Sequence, residues 1–179
     1  SLALALDSQK GFRGPDSLED VAFGVASIHR TENILSKTRV ERFVTVLEDV
    51  AKSYPLLLVM HKTTRKALDR SGLLERVERN PQIHICARFS YYNFMAVLDR
   101  ASFVISDGGS NQEECFYLGK PVVLLRSGTE RVEGVGDNCL VSRYDGELIR
   151  SFIGNVSNYE CKRNIGNVSP SSIIVDEIE

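Results

Sequence analysis

Short unbroken apolar runs alternate along this chain with longer stretches whose apolar positions recur every three or four residues. The runs Val21–Ser27, Leu56–Met60, Ile83–Cys86, Ser102–Ser106, Pro121–Leu125 and Cys139–Val141 have the length and β-branched content of strands. Between the first two, Ser36 is placed to cap a helix carrying Val40, Phe43, Val44, Leu47, Val50 and Ala51 at a 3.6-residue period, with Pro55 beyond it. Further helices are predicted over about 64–79 and 92–100, from Ser110 onward and from Gly146. Unbroken apolar strands are covered on both faces, as in parallel sheets. Strands alternating with helices in this way predict a doubly wound α/β fold, a mostly parallel Rossmann-like sheet with helices on both faces.

Residues 1–18 show no period and contain Gly11, Gly14 and Pro15, so they read as an arm or interdomain linker, with 19–179 as the domain. The 179 residues suffice for one full core. With 22 basic and 24 acidic side chains and no long basic run, duplex nucleic acid is excluded as an expected partner. The longest apolar stretch, Tyr54–Met60, is far too short to span a membrane. Four scattered cysteines without a C-x-x-C spacing point to reduced thiols and a cytoplasmic protein. The three histidines have neither the i,i+4 spacing nor the cysteine neighbours of a metal site, so no metal is expected.

In open α/β sheets ligands bind beyond the carboxyl ends of the strands, and the chemically useful residues of this chain fall there. His29 and Arg30 follow the first strand, His61 and Lys62 the second, Arg88 and Phe89 the third, Asp107–Glu114 the fourth, and Arg126–Arg131 the fifth. His29 can act as acid or base near neutral pH or donate to a leaving phosphate; it can equally be a loop histidine bonded to backbone. Arg30 can clamp a phosphate, and Arg131 beside Glu130 suits anion binding or a surface ion pair. His61 is a second candidate, whereas His84 lies inside a strand as a packed or edge histidine. Phe94 can lie against a nucleobase or in the core.

The densest signal is Ser106-Asp-Gly-Gly-Ser-Asn-Gln-Glu-Glu114. Gly108 and Gly109 permit close approach of a ligand to the backbone. Ser110 and Glu113 have capping-box spacing, which predicts a helix beginning at Ser110. Unpaired amides and the positive end of the helix dipole would then meet a phosphate, unless the turn is an ordinary connection with nothing bound. Glu114, one turn further in, is placed to accept hydrogen bonds from ribose hydroxyls.

Taken in order, Ser27-Ile-His-Arg-Thr-Glu-Asn33, Ser106–Glu114, Leu118-Gly-Lys-Pro-Val122 and Leu125-Arg-Ser-Gly-Thr-Glu-Arg-Val-Glu133 resemble the C-terminal half of the bacterial non-hydrolysing UDP-N-acetylglucosamine 2-epimerases. The resemblance covers about residues 20–179. It implies the C-terminal domain of a GT-B fold, with an N-terminal partner domain lying outside this chain. It implies a UDP-sugar substrate, no cofactor, and chemistry by elimination of UDP and its return after proton exchange at carbon 2. By motif position, His29 corresponds to the catalytic-site histidine, and Gly108, Gly109 and Ser110 to the phosphate turn. Glu114 corresponds to the ribose carboxylate, Phe94 to the uracil contact and Arg131 to the arginine of the Thr-Glu-Arg loop. Arg30 joins them as a substrate-binding candidate.

The motifs also depart from the family pattern. Asp107-Gly-Gly-Ser110 replaces Asp-Ser-Gly-Gly, Val132 and Lys62 stand where proline is usual, and the late glycine-rich segment survives faintly near Gly166. A hydrolysing epimerase, a GT-B glycosyltransferase and a non-catalytic nucleotide-sugar module remain open alternatives, as does a homodimer.

Overall fold

The computed structural model describes residues 18–163. The predicted arm and the segment around Gly166 therefore lie outside the described residues, except for Leu18 itself. Among the described residues six strands form one all-parallel sheet: β1 (Gly24–Ser27), β2 (Leu56–Val59), β3 (Ile83–Cys86), β4 (Phe103–Ser106), β5 (Val122–Leu124) and β6 (Cys139–Val141), in the spatial order β3-β2-β1-β4-β5-β6. The helices are α1 (Thr31–Ile34), α2 (Lys37–Ala51), α3 (Lys62–Arg70), α4 (Leu74–Glu78), α5 (Tyr91–Arg100), α6 (Gly109–Leu118) and α7 (Gly146–Gly154). The chain closes its described part with a 3-10 turn at Val156–Tyr159.

Successive residues of each central strand feed opposite core layers. Ala26, Leu56, Leu58, Ile105 and Val123 pack with the apolar faces of α2, α3, α4 and α7. Val25, Leu57, Val59, Val104 and Leu124 pack with α5 and α6. This two-sided burial is why the strands read as unbroken apolar runs rather than alternating ones. Helices that follow β1 and β2 thus lie on one face of the sheet, and those that follow β3 and β4 on the other. The change of face falls between β1 and β4, which are direct neighbours with Ser27 opposite Ser106. Chains leaving these two carboxyl ends part toward opposite faces, and a crevice opens between them.

Helix α2 buries the six apolar residues that its period predicts, and Ser36 Oγ caps it by accepting from Arg39 N–H at 3.4 Å. The single helix expected over 64–79 is instead two. Gly72, at φ +70, takes the left-handed conformation that ends α3, with Leu73 N–H bonded to Leu68 C=O (2.9 Å) and Gly72 N–H to Asp69 C=O (2.9 Å). The first strand is shorter than Val21–Ser27 because its partners on both sides, Leu56 and Phe103, begin at Gly24. All four cysteines are free thiols; Cys115 and Cys139 are buried. Among the described residues no helix is long and apolar enough to cross a membrane.

Candidate functional site

The mouth of the crevice is built around one buried carboxylate. Asp107, the residue after β4, is fully buried. It accepts from His29 N–H (3.1 Å), Arg30 N–H (3.0 Å) and Asn33 Nδ2 (2.8 Å). Asn33 in turn donates to Leu125 C=O (3.1 Å) at the end of β5 and accepts from the Tyr144 hydroxyl (3.0 Å). Tyr144 and Arg143 both sit at positive φ, 62 and 50, in the turn between β6 and α7. Non-glycine residues held there cost roughly 1–3 kcal/mol each. Ser142 steadies the turn by accepting from Tyr144 N–H at 3.2 Å. Four strand ends are therefore joined through Asp107 and Asn33.

This frame places His29. Its ring lies against the Cα of Gly108, where an added Cβ would meet His29 Cε1 at 3.2 Å. The ring stacks on His61 with centroids 4.7 Å apart and an interplanar angle of 14°. His29 Nδ1 is 3.5 Å from Asp107 Oδ1, and the side chain is 41 % exposed at the mouth. His61 also meets Ser27 Oγ at 3.2 Å through Nε2. Burial, then the neighbouring His29 and Arg88, push its pKa down to about 4. At neutral pH His61 is an uncharged wall beside His29. His84 lies apart in β3, the edge strand.

Helix α6 begins one residue earlier than its sequence suggests, at Gly109, with Gly108 as N-cap and no side-chain cap. The Ser110–Glu113 capping box does not form, because each residue is used differently. Ser110 is exposed within the first turn, and Glu113 pairs with Arg131. The turn is shaped instead by Ser106, whose Oγ accepts from Gly108 N–H (3.0 Å) and from Asn111 Nδ2 (2.8 Å). The first amides of α6 are thus left without side-chain partners at the mouth, beside His29.

One turn on, Glu114 is partly buried and its Oε2 has no hydrogen-bond partner. Burial, reinforced by the adjacent Glu113, pushes its pKa up to about 7. Glu114 also contributes, after burial, to raising the Tyr91 phenol, which sets the start of α5 beside it. Phe94, on the same helix, is half-buried against the second core layer.

The loop after β5 closes the other side. Gln112, fully buried, donates to Arg131 C=O (3.2 Å) and Glu133 C=O (2.8 Å), and accepts from Thr129 Oγ1 (2.7 Å). Arg131 does not form the alternative surface pair with Glu130; its partner is Glu113. Glu130 instead bonds Arg126 Nη2 at 2.7 Å, which holds its carboxyl down at about 2. Arg30 lies 3.6 Å from Glu32.

His29, Arg30, Gly108, Gly109, Ser110, Glu114 and Arg131 thus belong to segments that meet at one edge, with Phe94 on the adjoining helix. Asp107 and Gln112, which with Asn33 hold the segments together, have no role assigned by sequence reasoning. Their only sequence signal is that polar residues stand at positions where a strand end or an inward helix face demands burial.

An open all-parallel α/β sheet in the order β3-β2-β1-β4-β5-β6, with helices on both faces, is a Rossmann-like domain. The chain belongs to the UDP-N-acetylglucosamine 2-epimerase family, whose match covers residues 5–166. It is 30% identical over 155 residues to the UDP-N-acetylglucosamine 2-epimerase of Methanococcus maripaludis, covering 84% of this chain and 42% of that protein. It is 31% identical over 132 residues to the UDP-2,3-diacetamido-2,3-dideoxy-D-glucuronate 2-epimerase of Pseudomonas aeruginosa, covering 72% and 36%. The crystal structure of Methanocaldococcus jannaschii UDP-GlcNAc 2-epimerase in complex with UDP-GlcNAc and UDP superposes with a TM-score of 0.83 at 24% identity, over 99% of this chain and 50% of that one. This chain therefore spans less than half the length of these curated relatives.

Proposed function

We propose that this chain is the UDP-binding, C-terminal domain of a UDP-N-acetylglucosamine 2-epimerase. In this reading the diphosphate lies against the first amides of α6, where backbone N–H groups and the helix dipole favour an anion. Arg30 and Arg131 neutralise it from either side. Glu114 accepts from the ribose hydroxyls, and Phe94 lies near the uracil. The observation that carries the reading is the unsatisfied Glu114 carboxylate one turn behind uncapped helix amides. A buried acceptor without a donor is uncommon, and a ribose diol supplies two.

In the whole enzyme, a base removes the proton on carbon 2 while the bond from carbon 1 to the phosphate oxygen breaks, leaving a glycal and UDP. A proton then returns to the opposite face of carbon 2 and UDP adds back to carbon 1. His29, at the diphosphate, stabilises the charge that builds on the departing oxygen. The carboxylates that move the carbon 2 proton belong to the N-terminal domain of the whole enzyme. The protein works in the cytoplasm on precursors of surface polysaccharides. The similar identities to relatives named for two different sugars support a shared nucleotide half of the substrate, and we assign N-acetylglucosamine to the other half. The test is calorimetry of the chain with UDP, paired with an epimerisation assay on UDP-N-acetylglucosamine. Binding without turnover is expected. Turnover by the purified chain alone would refute the division of labour, and no UDP binding at millimolar concentration would refute the site.

A further inference from the structure

Within the proposed diphosphate site, the ion pair between Arg131 and Glu113 has a direction that matters. Gly109 and Glu113 are four residues apart, so they lie one above the other on the same flank of α6, about one 5.4 Å turn apart. Arg131 runs down that flank. A Cβ at Gly109 would meet its Nε at 2.5 Å, and its Nη1 reaches Glu113 Oε1. The guanidinium therefore lies beside the first residue of α6, with its carbon 3.5 Å from where a Gly109 Cβ would stand, while Nη1 is committed to Glu113. Arg131 Nε, against Gly109, is buried with no acceptor. Both partners of the pair remain one-third exposed, at 34% each, so water can separate them. The Arg131 backbone is fixed by Gln112, and only the side chain has to swing.

We propose that Glu113 is an affinity-determining residue: a resident carboxylate that pairs with Arg131 and yields it to the terminal phosphate of a nucleoside diphosphate. This rests on the diphosphate reading of the site. A phosphate monoester carries about −1.5 to −2 charges near neutral pH against the single charge of the carboxylate, and the helix amides reinforce it. The exchange is therefore favourable, but the affinity is lowered by what the resident pair contributes. For a part-exposed pair that is a factor of about three to five.

The chain and its Glu113→Gln, Arg131→Ala and doubly substituted forms would be titrated with UDP and with uridine, which has the same base and ribose. NMR would follow the Arg131 Nε–Hε resonance and the amides of residues 109–111. Glu113→Gln is expected to tighten UDP about threefold without tightening uridine, and the gain should vanish when Arg131 is alanine. The Arg131 resonance should move on adding UDP. A gain of equal size without Arg131 would show simple charge repulsion and overturn the proposal. So would weaker UDP binding by Glu113→Gln, which would make Glu113 a support for Arg131. If none of these resonances in the unaltered chain responds to millimolar UDP, the diphosphate reading itself falls and this inference with it.

Discussion

Replacing Glu114 by glutamine should make the fold more stable and the nucleotide site worse, and the two effects should separate with pH. The carboxyl is raised from 4.5 to about 7, first by burial and then by Glu113. Its unfolded value stays near 4.5, so between pH 4.5 and 7 the folded chain binds more protons than the unfolded one. Stability therefore falls as pH rises through this window, and the full cost is present above pH 7. At roughly 1.4 kcal/mol per pH unit the interval corresponds to about 3 kcal/mol; solvent reaching the partly exposed group reduces this to about 2 kcal/mol.

Glu114→Gln should accordingly melt about 4–8 °C above the unaltered chain at pH 8, with most of the difference gone at pH 5. Binding should move the other way. The loss of a charged acceptor for the ribose costs about 1.5–3 kcal/mol. UDP-N-acetylglucosamine suits the calorimetry because its diphosphate ends on the sugar and lacks the phosphate ionisation near pH 6. For the unaltered chain its affinity should rise about tenfold from pH 6 to pH 8 as Glu114 becomes ionised, and the glutamine variant should lose that rise. Equal melting differences at pH 5 and pH 8 would refute the strained carboxylate. An unchanged affinity in the variant would refute the ribose contact.

His61, held down at about 4, binds its proton less readily folded than unfolded. Its contribution to stability is whole above about pH 6.5 and is lost as pH falls toward 4. His61→Gln should flatten that acid-side loss in urea titrations, and an unchanged slope would count against a neutral stacked ring. Asp107→Ala strands the amides of His29 and Arg30 and the amide group of Asn33, so chemical denaturation should register a loss of about 3 kcal/mol or more. A loss under 1 kcal/mol would mean that the strand ends are tied elsewhere. Tyr144→Phe removes the hydroxyl that donates to Asn33; about 1 kcal/mol should disappear, and the His29 ring resonances should shift if the network reaches the mouth.

Local pattern predicts this fold well where one periodicity operates alone. The six buried positions of α2 and the limits of β3 can be read from spacing, because burial on one face or both dictates them. Spacing fails where residues distant in the chain decide. The start of α6 is set by Ser106 and Asp107 at the end of the preceding strand, so the Ser110–Glu113 spacing is a coincidence of composition. Gly72 ends α3, but the apolar period continues on both sides of it and hides the break from sequence. Polar strand ends locate the mouth, because open parallel sheets leave little else there. The bonds that hold it are not visible in the same way. Asp107 meets its donors across 74 to 78 residues of chain, and Arg131 meets Glu113 across 18.

The tie at Asp107 bears on how the mouth can respond to an arriving molecule. One buried carboxyl group anchors the backbone of two segments that diverge around opposite sides of the sheet, so the floor is tied together before anything lands on it. The entropy of ordering that floor is spent when the chain folds and is not charged again on association. Adjustment is left to long side chains, Arg131 and Arg30 among them, moving above this tied floor.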